Sequence, residues 1–326
     1  MSSLPIVRRV KDTTLPIINV KCLSSSRFED RKMVGVAIRA ACTENGFFYC
    51  SGHGIPLDLI DSVMTQTRAL FDQPIEAKTK LEMSVDSNSN RGYERFGGQT
   101  LEAGTLPDSK EGYYIGRELP EDDKPVKAGR FYGPNVWPEN LPLFKNIMCN
   151  YYQAMVELSE LVLNGIALSL DLPEDYFDSY MREPLTTLRL LHYPPKPTDE
   201  ASNQKGAGEH TDWGALTFLL QDAVAGLQVY DDRSGDWMLV EPLPGTLVVN
   251  IGDALAHWTN DLYKSTKHRV YNLSGRERYS VPFFYSGNPD YVVKCIPTCL
   301  ATGETPRYAP ITVEDHLVNM YKKTYG

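Results

Sequence analysis

Apolar positions recur at helical spacing in four stretches of the chain. Met33, Val36, Ala37, Ala40 and Ala41 predict a helix over about 27–45, with Gly46 at its C-terminus. A second helix is expected over about 58–71, stopping before Pro74, and a long amphipathic one over about 143–170, ended by Asp171-Leu-Pro173. The tail, about 312–325, reads as helical again. An early strand is expected at 15–20, and Phe47-Phe-Tyr-Cys50 reads as a buried strand closed by Ser51-Gly-His-Gly54. From residue 185 the period shortens. The runs 186–193, 216–220, 226–230, 237–240, 246–251, 267–271 and 280–285 are strand-like and separated by turn signals such as Asp231-Asp-Arg-Ser-Gly235 and Ser274-Gly275. So many short, closely spaced strands predict a sandwich or barrel instead of a parallel βαβ sheet. The stretch 84–142 has little periodicity yet carries Tyr93, Phe96, Tyr113, Tyr114 and Trp137. A loop that long and that aromatic is expected to pack over a site. The fold class is mainly β with flanking helices (α+β), one integrated unit.

Composition adds exclusions. With 42% hydrophobic residues over 326 positions there is ample material for a core. The balance of 33 Lys+Arg against 42 Asp+Glu gives a net charge of −9, with no basic block, which argues against a nucleic-acid partner. No apolar run reaches the roughly 18 residues of a membrane helix, and Met1-Ser-Ser-Leu-Pro lacks a signal-peptide core. The six cysteines are scattered, without a CxxC pair, and read as small buried thiols in a reducing compartment. The expected location is the cytoplasm, with no obligatory protein partner.

The chemistry concentrates around His210-Thr211-Asp212, at the end of a polar loop (198–209) and just before an apolar strand. In extended chain, residues i and i+2 face the same way, so His210 and Asp212 can share one metal ion. A second imidazole would complete a two-His, one-carboxylate set that leaves coordination positions open and suits non-haem Fe(II). His257 and His268 both lie downstream, and spacing alone does not choose between them.

The context does. Gly245–Asp253 is followed by Trp258-Thr-Asn260, Ser265, His268-Arg-Val270 and Arg278-Tyr-Ser280. Here the sequence closely resembles the Fe(II)/2-oxoglutarate-dependent dioxygenases of the isopenicillin N synthase-like branch, with wording closer to fungal or microbial secondary-metabolism members than to plant ones. The family's HxD…H…RxS pattern appears as His210/Asp212, His268 and Arg278/Ser280, and further matches run from Pro16-Ile-Ile through Asn45-Gly-Phe-Phe, Gly52-His-Gly-Ile-Pro56, Arg91-Gly-Tyr93 and Asp108-Ser-Lys-Glu111 to Tyr193-Pro194. The resemblance implies a double-stranded β-helix (jelly-roll) core at 181–290, an N-terminal helical and loop region at 1–180, and a C-terminal extension at 291–326. It implies that His210, Asp212 and His268 ligate Fe(II), and that Arg278, Ser280 and Tyr193 hold the co-substrate 2-oxoglutarate. O₂-dependent oxidation, a hydroxylation or a rearrangement such as ring expansion, would then release succinate and CO₂. Many plant members carry Asn two residues before the Tyr; this chain has Leu191, so one co-substrate contact is missing or replaced. The resemblance leaves His257 structural or at the pocket rim, His53 structural, and His316 a solvated or capping residue.

Alternation along residues 187–193 makes one further statement. If Tyr193 points inward, so do Leu191 and Arg189, and an inward Arg must be paired. Arg189 therefore either binds an anionic or hydrogen-bond-accepting substrate group or forms a structural pair with an internal Asp or Glu. Phe218, Phe284, Tyr93 and Phe96 are candidate substrate-pocket walls, with ordinary core packing as the competing role. The small-molecule substrate would be anionic or aromatic. Two readings compete with the leading one: an Fe(II) oxidase of the isopenicillin N synthase type that uses no 2-oxo acid, and a non-catalytic binding protein on the same fold.

Overall fold

Nine strands hydrogen-bond side by side in the order Val7–Arg8, Ile17–Asn19, Phe47–Ser51, Leu247–Ile251, Leu216–Gln221, Arg278–Gly287, Leu185–Tyr193, Glu111–Gly116 and Gly92–Glu94. A second sheet of four, in the order Asp236–Leu239, Leu227–Asp231, His268–Val270 and Ala207–His210, lies against one face of it. The structure, a computed structural model, describes residues 7–8, 15–83, 89–120, 122–128, 131–195 and 204–325. Residues 84–88 of the long loop and 198–203 of the polar loop lie outside them.

The large sheet is covered on both faces. Leu191, Tyr193, Phe47, Tyr49 and Val248 meet Ala207, Leu227, Val229 and Val270 of the small sheet in one apolar layer. The alternate side chains (Phe48, Cys50, Phe218, Leu220, Val249, Ile251, Leu188, Leu190 and Phe283) pack with the helices Phe28–Glu44, Leu57–Phe71 and Phe144–Ser169. Two covered faces explain why these strands read as nearly continuous apolar runs. The long helix buries Met148, Tyr151, Met155, Leu158, Val162 and Ile166, an i, i+3/i+4 stripe. Gly46, which follows the first helix, has φ +78° and lies so close to the Lys264 carbonyl that a Cβ would sit 2.0 Å from its oxygen. Only glycine satisfies both demands.

The expected helices and strands form within a few residues of their expected ends. Several elements escape the pattern, and four of them flank the site. Ala207–His210 (Ala-Gly-Glu-His) is a partly exposed edge strand with no apolar alternation. Gly92–Glu94 and Glu111–Gly116, inside the supposed irregular stretch, pair with each other and extend the large sheet. Asp253–Trp258 is a six-residue helix, too short to show a period. His316 is a correction: it is 5% exposed on the C-terminal helix Val313–Tyr325, with Nε2 bonded to the Trp213 carbonyl at 2.9 Å. It anchors that helix to the turn after Asp212.

Candidate active site

His210 ends the strand Ala207–His210, and antiparallel pairing sets His268 directly across from it. Asp212 follows two residues later. One ligand atom from each of His210, Asp212 and His268 lies within 4.8 Å of the other two, the arrangement a single ion needs. His210 Nδ1 is 2.7 Å from the Gly208 carbonyl oxygen and His268 Nδ1 is 3.1 Å from that of Thr266. Carbonyls only accept, so each Nδ1 carries the proton and each Nε2 keeps its lone pair for the shared point. The Nε2 atoms lie 3.9 and 3.7 Å from Asp212 Oδ1. Asp212 Oδ2 accepts from Asn250 Nδ2 at 2.7 Å, which fixes the carboxylate.

Electrostatics favour the ligand state of His210 and Asp212, while Asp212 draws His268 toward its protonated form until a cation takes the proton's place. Burial, then the nearby His268, push His210 down to about 3, so its imidazole is neutral. Burial works to raise Asp212, but His268, His210 and the Thr217 hydroxyl outweigh it and hold the carboxyl well below its ordinary value. Burial lowers His268 while Asp212 raises it, and the second effect wins. Two imidazoles and one ionised carboxylate clustered in a closed space are a donor set for Fe(II).

A cavity of about 70 Å³ opens from this cluster between the two sheets. Its large-sheet wall alternates as strands should: Arg189, Leu191 and Tyr193; Thr217 and Leu219; Arg278, Ser280, Pro282 and Phe284. Arg278 is fully buried, yet no carboxylate pairs with it among the described residues. Its Nη2 donates to Gln221 Oε1 (2.8 Å), its Nε to the Val224 carbonyl (3.2 Å), and its Cζ lies 4.9 Å from the centre of the Tyr193 ring. Nη1 is buried without a protein acceptor. An orphaned guanidinium nitrogen in a cavity wall that also carries Ser280 fits a carboxylate ligand, since otherwise its burial goes uncompensated. Tyr193 is raised by burial and shares a hydrogen bond with Ser280.

A second cavity, about 190 Å³, meets the first at Leu101, Arg189, His210, Asp212 and Phe284. Ser89, Asn90, Arg91, Gln99 and Phe131 of the irregular stretch wall it, opposite Trp213, Leu317 and Tyr321. The long stretch therefore does wall the site, but of the five aromatics that suggested it only Tyr114 lines a cavity.

Each expected residue can now be placed. Phe284 lines both cavities. Arg189 lines both, but its Nη2 is ion-paired with Glu94 and bonded to Gln99 Oε1 (3.0 Å), with the guanidinium 4.4 Å over the Tyr114 ring. The internal pair is thus present. Three expected walls are not. Phe218 sits between the inward Thr217 and Leu219, so alternation turns it into the helix-side core. Tyr93 is buried in a polar cluster, its hydroxyl bonded to Glu111. Phe96 is 52% exposed and lines neither cavity. His257 stacks on Tyr308, 3.9 Å between ring centres, away from the cluster. His53 caps its own turn, accepting from the Ile55 amide. Among the residues missed, Asn250 had a signal, a lone polar residue in the apolar run Leu247–Ile251. Lys110 and Arg91 lie in the matched motifs Asp108-Ser-Lys-Glu111 and Arg91-Gly-Tyr93, which gave them no role, and Gln99 had no signal beyond lying in the aromatic-rich stretch.

The fold and this donor set define a non-haem iron oxygenase. Residues 184–287 match the 2OG-Fe(II) oxygenase superfamily, and residues 15–140 match the family described as the N-terminal part of non-haem dioxygenase in morphine synthesis. The 2-oxoglutarate-Fe(II) type oxidoreductase hxnY of Emericella nidulans is 48% identical over 89% of this chain and 84% of its own. Clavatol oxidase claD of Penicillium crustosum is 38% identical over 89% and 90%. The crystal structure of a full-length Neurospora crassa protein in complex with alpha-KG superposes with a TM-score of 0.87 at 30% identity, covering 99% of this chain and 100% of that one. The chain belongs to the 2OG-Fe(II) oxygenase superfamily. It uses Fe(II), 2-oxoglutarate and O₂ to oxidise a small organic molecule. Among the described residues no helix is long and apolar enough to cross a membrane.

Proposed function

We propose that His210, Asp212 and His268 hold the iron, that Arg278 and Ser280, with Tyr193 beneath the guanidinium, hold the distal carboxylate of 2-oxoglutarate, and that the larger cavity takes a small planar substrate bearing one negative charge. The observation that carries this reading is the meeting of the two cavities at His210 and Asp212, so that co-substrate and substrate both reach one ion. Bound Fe(II) and 2-oxoglutarate supply O₂ activation and the oxidising power. The chain's own part is positional. The carbonyls of Gly208 and Thr266 hold the two imidazoles in one tautomer, Asn250 holds Asp212, and the apolar layer between the sheets excludes water. We further propose that 181–290 forms the catalytic core and that 1–180 and 291–326 supply the cavity's outer walls.

The charge of the substrate is argued from two arginines. Glu94 neutralises Arg189, so that side chain offers the cavity a polar, compensated edge. Arg91 is different. It is 5% exposed and makes no ion pair with a described residue; Nη1 donates to the Ser89 and Asn90 carbonyls, Nη2 to that of Phe131, and Nε is buried without an acceptor. Burial brings its pKa down to about 10, which leaves it charged at neutral pH. A buried cation on a cavity wall, held by carbonyls and by Glu118 only through space, favours an anionic guest. Phe131, Tyr114, Trp213 and Phe284 supply flat apolar walls for an aromatic ring.

The test is a screen of monocyclic aromatic carboxylic acids and their amides for substrate-dependent succinate formation, followed by Arg91→Gln. Acids are expected to be preferred, and Arg91→Gln to raise KM for the acid about 10- to 100-fold, the loss of one charge-assisted contact. Preference for amides, or an unchanged KM, would overturn the assignment of charge.

A further inference from the structure

We propose that Lys110 is a positioning residue that binds the 2-oxo-acid end of the co-substrate, so that the dianion is held by a cation at each end. The inference rests on the assignment of the smaller cavity to 2-oxoglutarate. Lys110 immediately precedes the strand Glu111–Gly116, whose first residue pairs with His192, and this places Lys110 beside Tyr193 on the cavity wall. Its side chain is 2% exposed, and among the described residues its partner is Asp108, an ion pair equally buried. Asp108 uses its other oxygen to accept from the Gly208 amide at 2.9 Å, two residues before His210. The Asp108–Gly208 bond thereby ties the ammonium toward the His210 strand, two strands across the large sheet from Arg278 in the same register row.

An ammonium has three protons, and one carboxylate contact leaves donors over. The other cation on the neighbouring wall, Arg189, is already paired with Glu94 and bonded to Gln99. Leu191 stands where many relatives of the resemblance carry Asn, and Gly112, its register partner on the Lys110 strand, has no side chain to donate. Charge balance agrees. With the Lys110–Asp108 and Arg189–Glu94 pairs neutral, Fe(II), Asp212 and Arg278 leave a net charge of +2 in the space that receives a −2 co-substrate. Lys110 then contributes direction, not net charge, aiming protons at the carboxylate beside the keto group. A buried pair built only for stability would be expected to leave co-substrate affinity unchanged.

The experiment is an anaerobic titration of the Fe(II)-loaded protein with 2-oxoglutarate, followed by the charge-transfer absorption of the iron–2-oxo-acid complex. It is repeated with 2-oxopentanoate, in which a methyl replaces the distal carboxylate. Lys110→Met is expected to raise the Kd for 2-oxoglutarate about 10- to 100-fold, with Lys110→Arg recovering part of it and Fe(II) stoichiometry unchanged. The Lys110→Met penalty should persist with 2-oxopentanoate, whereas the Arg278→Gln penalty should vanish. Asp108→Asn, which frees the ammonium, should not weaken binding. An unchanged Kd in Lys110→Met, or a penalty that disappears with 2-oxopentanoate, would overturn the proposal while leaving the cavity assignment intact. Absence of the absorption in the unsubstituted protein would overturn both. If Lys110→Met does not fold, the Lys110→Arg and Asp108→Asn titrations still decide, since weakened binding in Asp108→Asn contradicts the role given to Lys110.

Discussion

Asn250 does for Asp212 what the Gly208 and Thr266 carbonyls do for the histidines: it removes a rotational freedom that a metal ligand cannot have. Its amide is the partner of Asp212 Oδ2, 3% exposed. Asn250→Ala is therefore expected to weaken Fe(II) binding about 10- to 100-fold while leaving the three ligands in place. Equilibrium dialysis of Fe(II) under argon checks this, and wild-type affinity in the variant would contradict it. Arg278→Gln should raise KM for 2-oxoglutarate by a similar factor, because Nη1 is the fully buried nitrogen for which the protein supplies no acceptor. The residues of this machinery that were legible in sequence share a property. His210/Asp212 and Arg278/Ser280 are i, i+2 pairs on extended chain, where spacing alone gives a common direction. The roles of Asn250, Lys110 and Arg91 were not legible, although Asn250 stood out in an apolar run and the other two lie in matched motifs, because those roles depend on strands paired far along the chain.

At the scale of elements, alternation proved informative only once the direction of one residue was known. It correctly grouped Arg189, Leu191 and Tyr193, but Phe218 had no such neighbour to fix its side and fell on the opposite face. The short strand Ala207–His210 and the helix Asp253–Trp258 were invisible because neither has enough residues to express a period. Two elements give testable stabilities. Gly46 and Gly54 both have φ +78°, but a Cβ at Gly46 would strike the Lys264 carbonyl, whereas nothing lies within 4 Å of one at Gly54. Gly46→Ala should lower Tm clearly more than Gly54→Ala; equal losses would mean that backbone strain alone matters.

The strands Glu111–Gly116, Leu185–Tyr193 and Arg278–Gly287 are also tied by one polar cluster. Glu111 accepts from Lys78 and Tyr93 and contacts His192 Nδ1 at 2.8 Å, while His192 Nε2 contacts Glu277 at 2.6 Å and its ring stacks on Tyr279. Burial lowers His192, but Glu111 and Glu277 raise it further, so its folded-state pKa lies above its unfolded value near 6.5. The stability it contributes is then fully present below that unfolded value and lost as pH rises through the folded one. The Tm gap between the wild type and His192→Gln should accordingly be wider at pH 6 than at pH 9. A gap that widens with pH would reverse the assignment.

For the molecule as a whole, the large sheet works because each face has a separate duty: one packs on helices, the other closes the reaction space against the small sheet. The irregular stretch and the C-terminal helix, the latter held by His316, complete the walls of the larger cavity. Two architectural layers and the strand pair proposed to bind iron were readable from periodicity and motif order. The walls were not, because they come from segments brought together only by folding. The most direct test of the iron site is the metal content of the anaerobically reconstituted protein and its Asp212→Ala variant, with succinate formation measured alongside. About one Fe(II) per chain is expected in the wild type, almost none in a folded Asp212→Ala, and no succinate from the variant. Undiminished iron in Asp212→Ala would place the metal elsewhere and contradict the assignment.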